Sequence, residues 1–426
     1  MRSRAARSQS TQPDNNPIAP SHRLGRSAPE GSEMLGSVLF YLGLIVSVSI
    51  GFLYFRDLGD VSQMLLKVKR ENTVRFIRHE YRFVAAGLGA AAVMILGHIL
   101  GGGPGWLFWV CLILVVFLYA FPWVWVHLGL RNQKDKATYY SIEEARDWVN
   151  PRAEVIVIEN NGHARAHPDA QIMRPHLAGN KEGLGGEDVV MTYCAMAHLG
   201  IGYTPTVEGE KLELEVLAQH GNNLLLRDNK TGEPIQHIYG FREADQDTGA
   251  EGNACPLRPS LAMKPWPTYR MSFRAFQKAF PEGEVFLNKP PANPLLRLLD
   301  MATEITFGWG IARQHQEAAP VMENMSHFDD RLPNKTYVWG VNIGQDAACW
   351  TDEFIIENDW LVNANVGGRD LAVSIDPKFE SLGVWYNDSG HRVTRCDFWG
   401  NSDQGKLERV ETLKPGLFWH VWVEFF

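Results

Sequence analysis

Cys194 and His198 stand four residues apart in the run Cys194-Ala195-Met196-Ala197-His198. On a helical turn that spacing puts a thiolate and an imidazole on one face, which is half of a zinc or copper site. His220 and His237, expected in the same lobe, extend the set to four candidate metal ligands. The same pair can also be read as a nucleophile beside its base. The plainer alternative is that Cys194 closes a buried strand and His198 caps the next turn. A second cluster is His163, Arg165 and His167, alternate residues that share one face of a strand. That face offers cationic and hydrogen-bonding groups to an anion, or forms a solvated strand edge.

The motifs that name a reaction are missing. There is no Gly-Lys-Ser/Thr phosphate loop, no His-Glu-x-x-His and no Gly-x-Ser-x-Gly, and Asp346, Asp352 and Glu353 lack the spacing of a calcium loop. The sequence therefore favours a membrane-tethered module that binds a ligand or a partner, or an accessory subunit of a larger membrane complex. The alternative is a metal- or thiol-dependent enzyme centred on Cys194 and His198, with zinc or copper as its cofactor.

The elements that must position these residues sit behind a membrane region. Residues 35–55, 83–100 and 106–128 contain no Asp, Glu, Lys or Arg. At about 1.5 Å per residue each can cross a hydrocarbon layer of roughly 30 Å. The fold expected is membrane-anchored: three N-terminal transmembrane helices, then a β-rich α+β soluble region of two related lobes. Mean hydropathy of -0.20 and a net charge of -8 hide this division, because the polar remainder dilutes the spans. Residues 1–34, rich in Arg, Ser and Pro, read as a disordered tail rather than a cleaved signal peptide. Residues 56–82 form a basic amphipathic loop, suited either to an anionic leaflet or to the protein's own domain.

Lys and Arg crowd that loop and follow the third span, whereas the turn at 101–105 has none. The positive-inside rule then puts the soluble region in the cytoplasm, against the pull of an Arg-rich N-terminus. His98 and His127 lie at opposite ends of neighbouring spans, about 30 Å apart, too far to share a metal. Five scattered cysteines give no disulfide framework. The acidic soluble part has no basic stripe interleaved with aromatics, so nucleic acid is not an expected partner. The bilayer and other membrane subunits are.

The soluble part reads as one unit present twice. Residues 157–167 around Gly162 match 339–349 around Gly344, which lies 182 positions on (344 − 162). Gly185-Gly186 and Gly367-Gly368 keep the same offset, which sets Asp376 where Cys194 stands. Residues 275–280 resemble 421–426, with a drifted offset. The domains expected are a linker at 131–153, lobe one at 154–288, a linker with an amphipathic helix at 289–333, and lobe two at 334–426. Asn161-Gly162 predicts a type I′ hairpin turn, and the alternation over 211–216 predicts a strand. The aromatic spacing over 269–280 predicts a helix.

These residues resemble a bacterial family known as domain of unknown function 3179. Its pattern Gly-Gly-x-x-Val-x-Val-Thr-Tyr-Cys-Pro-x-Cys is met by Gly185-Gly186 and by Thr192-Tyr193-Cys194, and its Tyr-Asp-x-x-Thr-Gly by Asp228 to Gly232. The resemblance covers most of 155–426. The second cysteine of the pattern is Ala197 here and its proline is Ala195. The Asn-Ser-Asp triplet is Gly221-Asn222-Asn223, and the Trp of its last strand is Ile235. Asn222 and Asn223 thereby join His163, Arg165 and His167 as candidate ligand-binding residues. The resemblance implies a bacterial cytoplasmic-membrane protein with an exported, periplasmic soluble region, opposite to the charge rule.

Overall fold

In a computed structural model the chain is described over residues 30–59, 66, 68–249, 254–322 and 324–426. Among the described residues three helices are long and apolar enough to cross a membrane: Glu30–Leu58, Arg70–Ile99, and Gly105–Trp123, which continues through the wider turns of Val124–Gly129. The chain is a multi-pass membrane protein with a mixed α+β region behind its spans. The first helix starts at Glu30, inside the stretch assigned to the tail; residues 1–29 lie outside the described residues. The first and second helices pack backbone to backbone. A Cβ at Gly97 would come within 2.3 Å of the Phe40 nitrogen, and one at Gly43 within 2.5 Å of the Met94 nitrogen. Such small-residue seams supply close van der Waals contact where lipid offers no hydrophobic driving force.

The second helix is longer than its apolar core. Residues 70–82 form its first turns, while 60–65 and 67 of the basic segment lie outside the described residues. Val74 and Ile77 are buried, and Phe76 and Ile77 pack with Leu217, Ala218 and Leu225 of the protein's own soluble region. Those three residues belong to the hairpin of strands Leu214–His220 and Asn223–Asp228.

A buried ionic network completes this junction. Arg227 Nη1 lies 2.6 Å from Glu80 Oε2 and Arg227 Nη2 2.9 Å from Glu215 Oε2. The His127 ring bridges the same carboxylates, with Nε2 3.0 Å from Glu80 and Nδ1 2.8 Å from Glu215. Tyr54 of the first span donates to Glu80 at 3.0 Å. Charges in low dielectric persist only when paired, so the hairpin is locked onto all three spans. His98, at the far end, faces the Gly102 carbonyl at 3.1 Å.

The soluble region is built from mainly antiparallel sheets, with Glu284–Phe286 joining His163–Pro168 in parallel. Hairpin Glu154–Asn160 with His163–Pro168 turns at Asn161 and Gly162, both at positive φ as a type I′ turn requires. Its sheet runs Tyr139–Ser141, Glu284–Phe286, His163–Pro168, Glu154–Asn160, Thr268–Ser272. Val155 and Val157 face one core, Ile156 and Ile158 another, because side chains alternate along a strand. A second sheet runs Lys264–Pro265, Leu199–Thr204, Val190–Cys194, Leu177–Gly179.

Further along, one sheet runs Asp346–Trp350, Tyr337–Ile343, Lys414–Phe418, and another Leu361–Val366, Arg369–Asp376, Ser381–Tyr386, Glu408–Arg409. The segment 269–280 is not one helix. Tyr269 and Met271 pair with Val157 and Val155, and only after Ser272, whose side chain accepts from the Ala275 N–H, does helix Phe273–Ala279 begin. Pairing with a neighbouring strand overrides the aromatic spacing. The strand expected over 211–216 divides into Glu210–Lys211 and Leu214–His220.

Candidate functional site

Four charged or ionisable residues converge where the first pair of sheets meets the second. Glu154 opens strand Glu154–Asn160, across from Ser272. Strand His163–Pro168 runs straight into the short helix Asp169–Ile172, so Asp169 is delivered at the strand's end. Arg270 lies in the middle of strand Thr268–Ser272, opposite Ile156, and shares its inward face. His198 sits in the turn between Val190–Cys194 and Leu199–Thr204 at φ +55, a conformation that costs energy for a side chain with a Cβ.

Arg270 is the hub. Its Nη1 lies 2.7 Å from both Glu154 and Asp169, its Nη2 donates to the His198 carbonyl at 2.9 Å, and its Nε donates to the Pro415 carbonyl at 3.0 Å. His198 Nε2 lies 2.9 Å from Asp169, and its Nδ1 3.1 Å from the Gly416 carbonyl. The ring stacks on Tyr337, with centroids 4.7 Å apart, and packs on Phe418. Burial works against the Asp169 carboxylate, but Arg270 and His198 outweigh it and hold its pKa down to about 2. Burial, reinforced by Glu154, pushes Tyr337 up to about 12.

Glu154, Asp169 and His198 form a group that could in principle hold a metal ion, their ligand atoms lying within 4.8 Å of one another. Arg270 already neutralises both carboxylates, and both His198 nitrogens face oxygen acceptors. A cation entering here would have to displace the guanidinium and turn the ring.

A cleft of about 270 Å³ opens beside this hub, lined by Arg152, Glu154, His198, Tyr337, Trp339 and Asp352 among others. Two groups at its wall are not spoken for. The Trp339 indole nitrogen is buried without a hydrogen-bond partner. The Asp352 carboxyl, first residue of helix Asp352–Glu357, is pushed up to about 7 by burial and by Glu353 and Glu154. A carboxyl poised near neutrality next to an unsatisfied N–H and an aromatic face suits a small hydrogen-bonding ligand.

Of the sequence candidates, only His198 lies in this site. Cys194 is buried at the end of its strand, within 3.6 Å of the Asn222 carbonyl. His237 Nδ1 meets Asn223 at 3.0 Å in the interior, where burial, with a contribution from His176, holds its pKa down to about 3. His220 pairs across the hairpin with Asn223, and Asn222 bonds Met322 on both sides of its amide. Arg165 and His167 point inward: Arg165 meets Glu284 and Asn180 under the Tyr139 ring, and His167 lies beside Tyr139. His163 is exposed. Among the described residues, Cys194, His220 and His237 fall in no group of three or more metal-ligating side chains.

Glu154, Asp169, Arg270, Tyr337 and Trp339 escape sequence reasoning, and Asp352 is dismissed on loop spacing. One signal does exist in the sequence: Arg270, flanked by Tyr269 and Met271, puts a charge at an inward strand position. Comparison with known proteins finds no match among curated proteins and none among solved structures. A family model, that of a protein of unknown function, DUF3179, matches residues 133–426, and the chain belongs to that family, here behind a membrane-spanning N-terminal region.

Proposed function

We propose that the soluble region is a duplicated binding module, held against the bilayer, whose ligand site is the cleft at the junction of its two copies. The sheet orders support the duplication. Strands His163–Pro168, Glu154–Asn160 and Thr268–Ser272 correspond to Asp346–Trp350, Tyr337–Ile343 and Lys414–Phe418 in the same order. The second sheets correspond strand for strand as well. His198 and Glu380 occupy the equivalent turn, both at positive φ. The contacts are reciprocal: His198 touches Gly416 and Phe418 of the second copy, and Glu380 touches Ser272 and Arg274 of the first. That is the contact pattern of a two-fold pair.

The observation that carries the functional reading is the cleft where the two copies meet. Ser272 and Glu380, bonded to each other, line it together with Trp339. Asp352, Glu154 and Glu380 give it an acidic rim. The ligand it fits is small and rich in hydrogen-bond donors, with a protonated amine as the best match, since a cation would restore the Asp352 carboxylate.

Thermal unfolding of the full chain in lipid nanodiscs, with a panel of small amines and saccharides, tests this. A ligand at about 100 times its Kd stabilises by roughly 2.7 kcal/mol, a shift of several degrees. The expected result is stabilisation by at least one amine, abolished in Asp352→Asn and weakened in Trp339→Phe. A panel without effect, or a ligand indifferent to both substitutions, sinks the proposal.

A second reading rests on the Glu154, Asp169 and His198 group as a metal centre. It requires stoichiometric zinc or copper in protein purified without chelator, lost in His198→Ala; metal-free protein with the wild-type melting profile rules it out.

A further inference from the structure

The segment joining the two copies carries a helix whose amphipathicity is reversed. Pro294–Glu304 is capped by Asn293, which accepts from the N–H groups of Leu295 and Leu296, and it continues through Ile305–Ile311. A helix on a water-soluble domain turns its leucines inward and its charges out. Here the inward residues are polar. Asp300 is 8% exposed and Thr303 1%. Asp300 receives Arg131 at 2.7 Å and pairs with Arg174, which also donates to Thr303. Leu295, Leu298, Met301, Ile305 and Trp309 all point outward, each more than half exposed. Their spacing of three, three, four and four residues draws one apolar stripe along the helix.

The position of this stripe identifies what covers it. Thr303 packs on Gly129, the last residue of the third span, where a Cβ would lie 2.9 Å from its methyl group. Arg131, two residues past that span, ties the same helix through Asp300. The stripe is therefore continuous with the lipid-facing surface at the level where the third span leaves the membrane. Its eighteen residues, about 27 Å long, do not cross the bilayer, because Arg297, Asp300 and Glu304 interrupt them and the polar side is pinned to Arg131 and Arg174. Trp309, with the Arg313 guanidinium 5.6 Å from its ring, has the composition of a headgroup-level anchor.

We propose that residues 294–311 lie flat in the membrane interface, with Leu295, Leu298, Met301, Ile305 and Trp309 in the acyl–headgroup boundary. The link between the two copies thereby becomes a fourth membrane contact. It leads, four residues past Ile311, to His315, whose Nε2 lies 2.6 Å from the Ala195 carbonyl beside the His198 turn. Burial of such a stripe gives reversible interfacial binding that depends on apolar area.

The test uses the full chain in nanodiscs of phosphatidylcholine and phosphatidylglycerol. Photoreactive p-benzoyl-phenylalanine is placed at Leu298, at Met301 and, as a control, at Arg297. Lipid adducts at 298 and 301 should exceed those at 297 by at least fivefold. Adducts to a second copy or another protein at 298 and 301, or lipid adducts equal to those at 297, overturn the assignment. An independent reading needs no unnatural residue. The fluorescence difference between wild type and Trp309→Phe should be quenched by brominated lipid and spared by aqueous iodide. The reverse pattern overturns the proposal.

Discussion

The junction between the spans and the soluble region and the junction between the two pairs of sheets each join an arginine and a histidine to two carboxylates. At the first, Arg227 and His127 meet Glu80 and Glu215; at the second, Arg270 and His198 meet Glu154 and Asp169. They differ in access. Arg227 and Glu80 are sealed, each side chain 2% exposed, whereas Glu154 is half exposed at the mouth of a cleft. Similar chemistry therefore serves as a lock where water is shut out and as the wall of a candidate site where it is admitted. What decides the role is the neighbouring surface: apolar spans and an apolar hairpin at the first, and Trp339 and Asp352 beside a cleft at the second.

Breaking the lock should give the largest effect. Arg227→Met leaves Glu80 and Glu215 with His127 as their remaining cationic partner and the Tyr54 hydroxyl on Glu80, a loss of roughly 3–5 kcal/mol. Thermal or denaturant unfolding in nanodiscs measures it, and an unchanged midpoint would mean that the hairpin does not depend on this pair. Arg270→Met should cost less, roughly 2–3 kcal/mol, because Glu154 can turn to solvent while Asp169 cannot. If the two substitutions cost the same, the contrast in access between the junctions is not what sets their energies.

Acid titration separates them further. Asp169 is held near 2 in the folded chain against about 3.9 unfolded, so its contribution is complete above pH 4 and disappears as pH falls through 2. The amount at stake is roughly 2 kcal/mol. Asp169→Asn should flatten the stability profile across that window, and a profile unchanged from wild type would show that the carboxylate gains nothing from Arg270.

Asp352 has the opposite sign. Its folded-state pKa lies near 7 against about 3.9 unfolded, so the folded chain keeps a proton that the unfolded chain releases between those values. Stability should fall as pH rises from 4 to 7, and Asp352→Asn should remove the fall. Amine binding at the cleft should release a proton at pH 6, measurable as a buffer-dependent heat. Smallest in effect, Ser272→Ala should cost about 1 kcal/mol by removing the helix cap that ends the strand bearing Arg270.

Features held within one stretch of chain are legible in the order of residues alone. The three spans are visible because lipid imposes the same rule on every residue of a segment, and the type I′ turn because Asn161-Gly162 accepts positive φ locally. His198 is legible as a reactive type, though for a partner it does not meet: its neighbours are Asp169, Gly416 and Tyr337 rather than His220 or His237. The segment 269–280 misleads because aromatic residues fit both a helix face and a buried strand, and only the partner strand Glu154–Asn160 distinguishes them.

The chain's own order of residues determined that it is anchored in a bilayer and that a sheet-rich region follows, since hydropathy and alternation are properties of neighbours along the backbone. Only the tertiary structure decided which charges meet. Glu80 with Arg227 lie 147 positions apart and Asp169 with Arg270 lie 101 positions apart. Pairings at such separations leave no periodic trace, because each is fixed by the packing of whole sheets and spans rather than by local conformational preference.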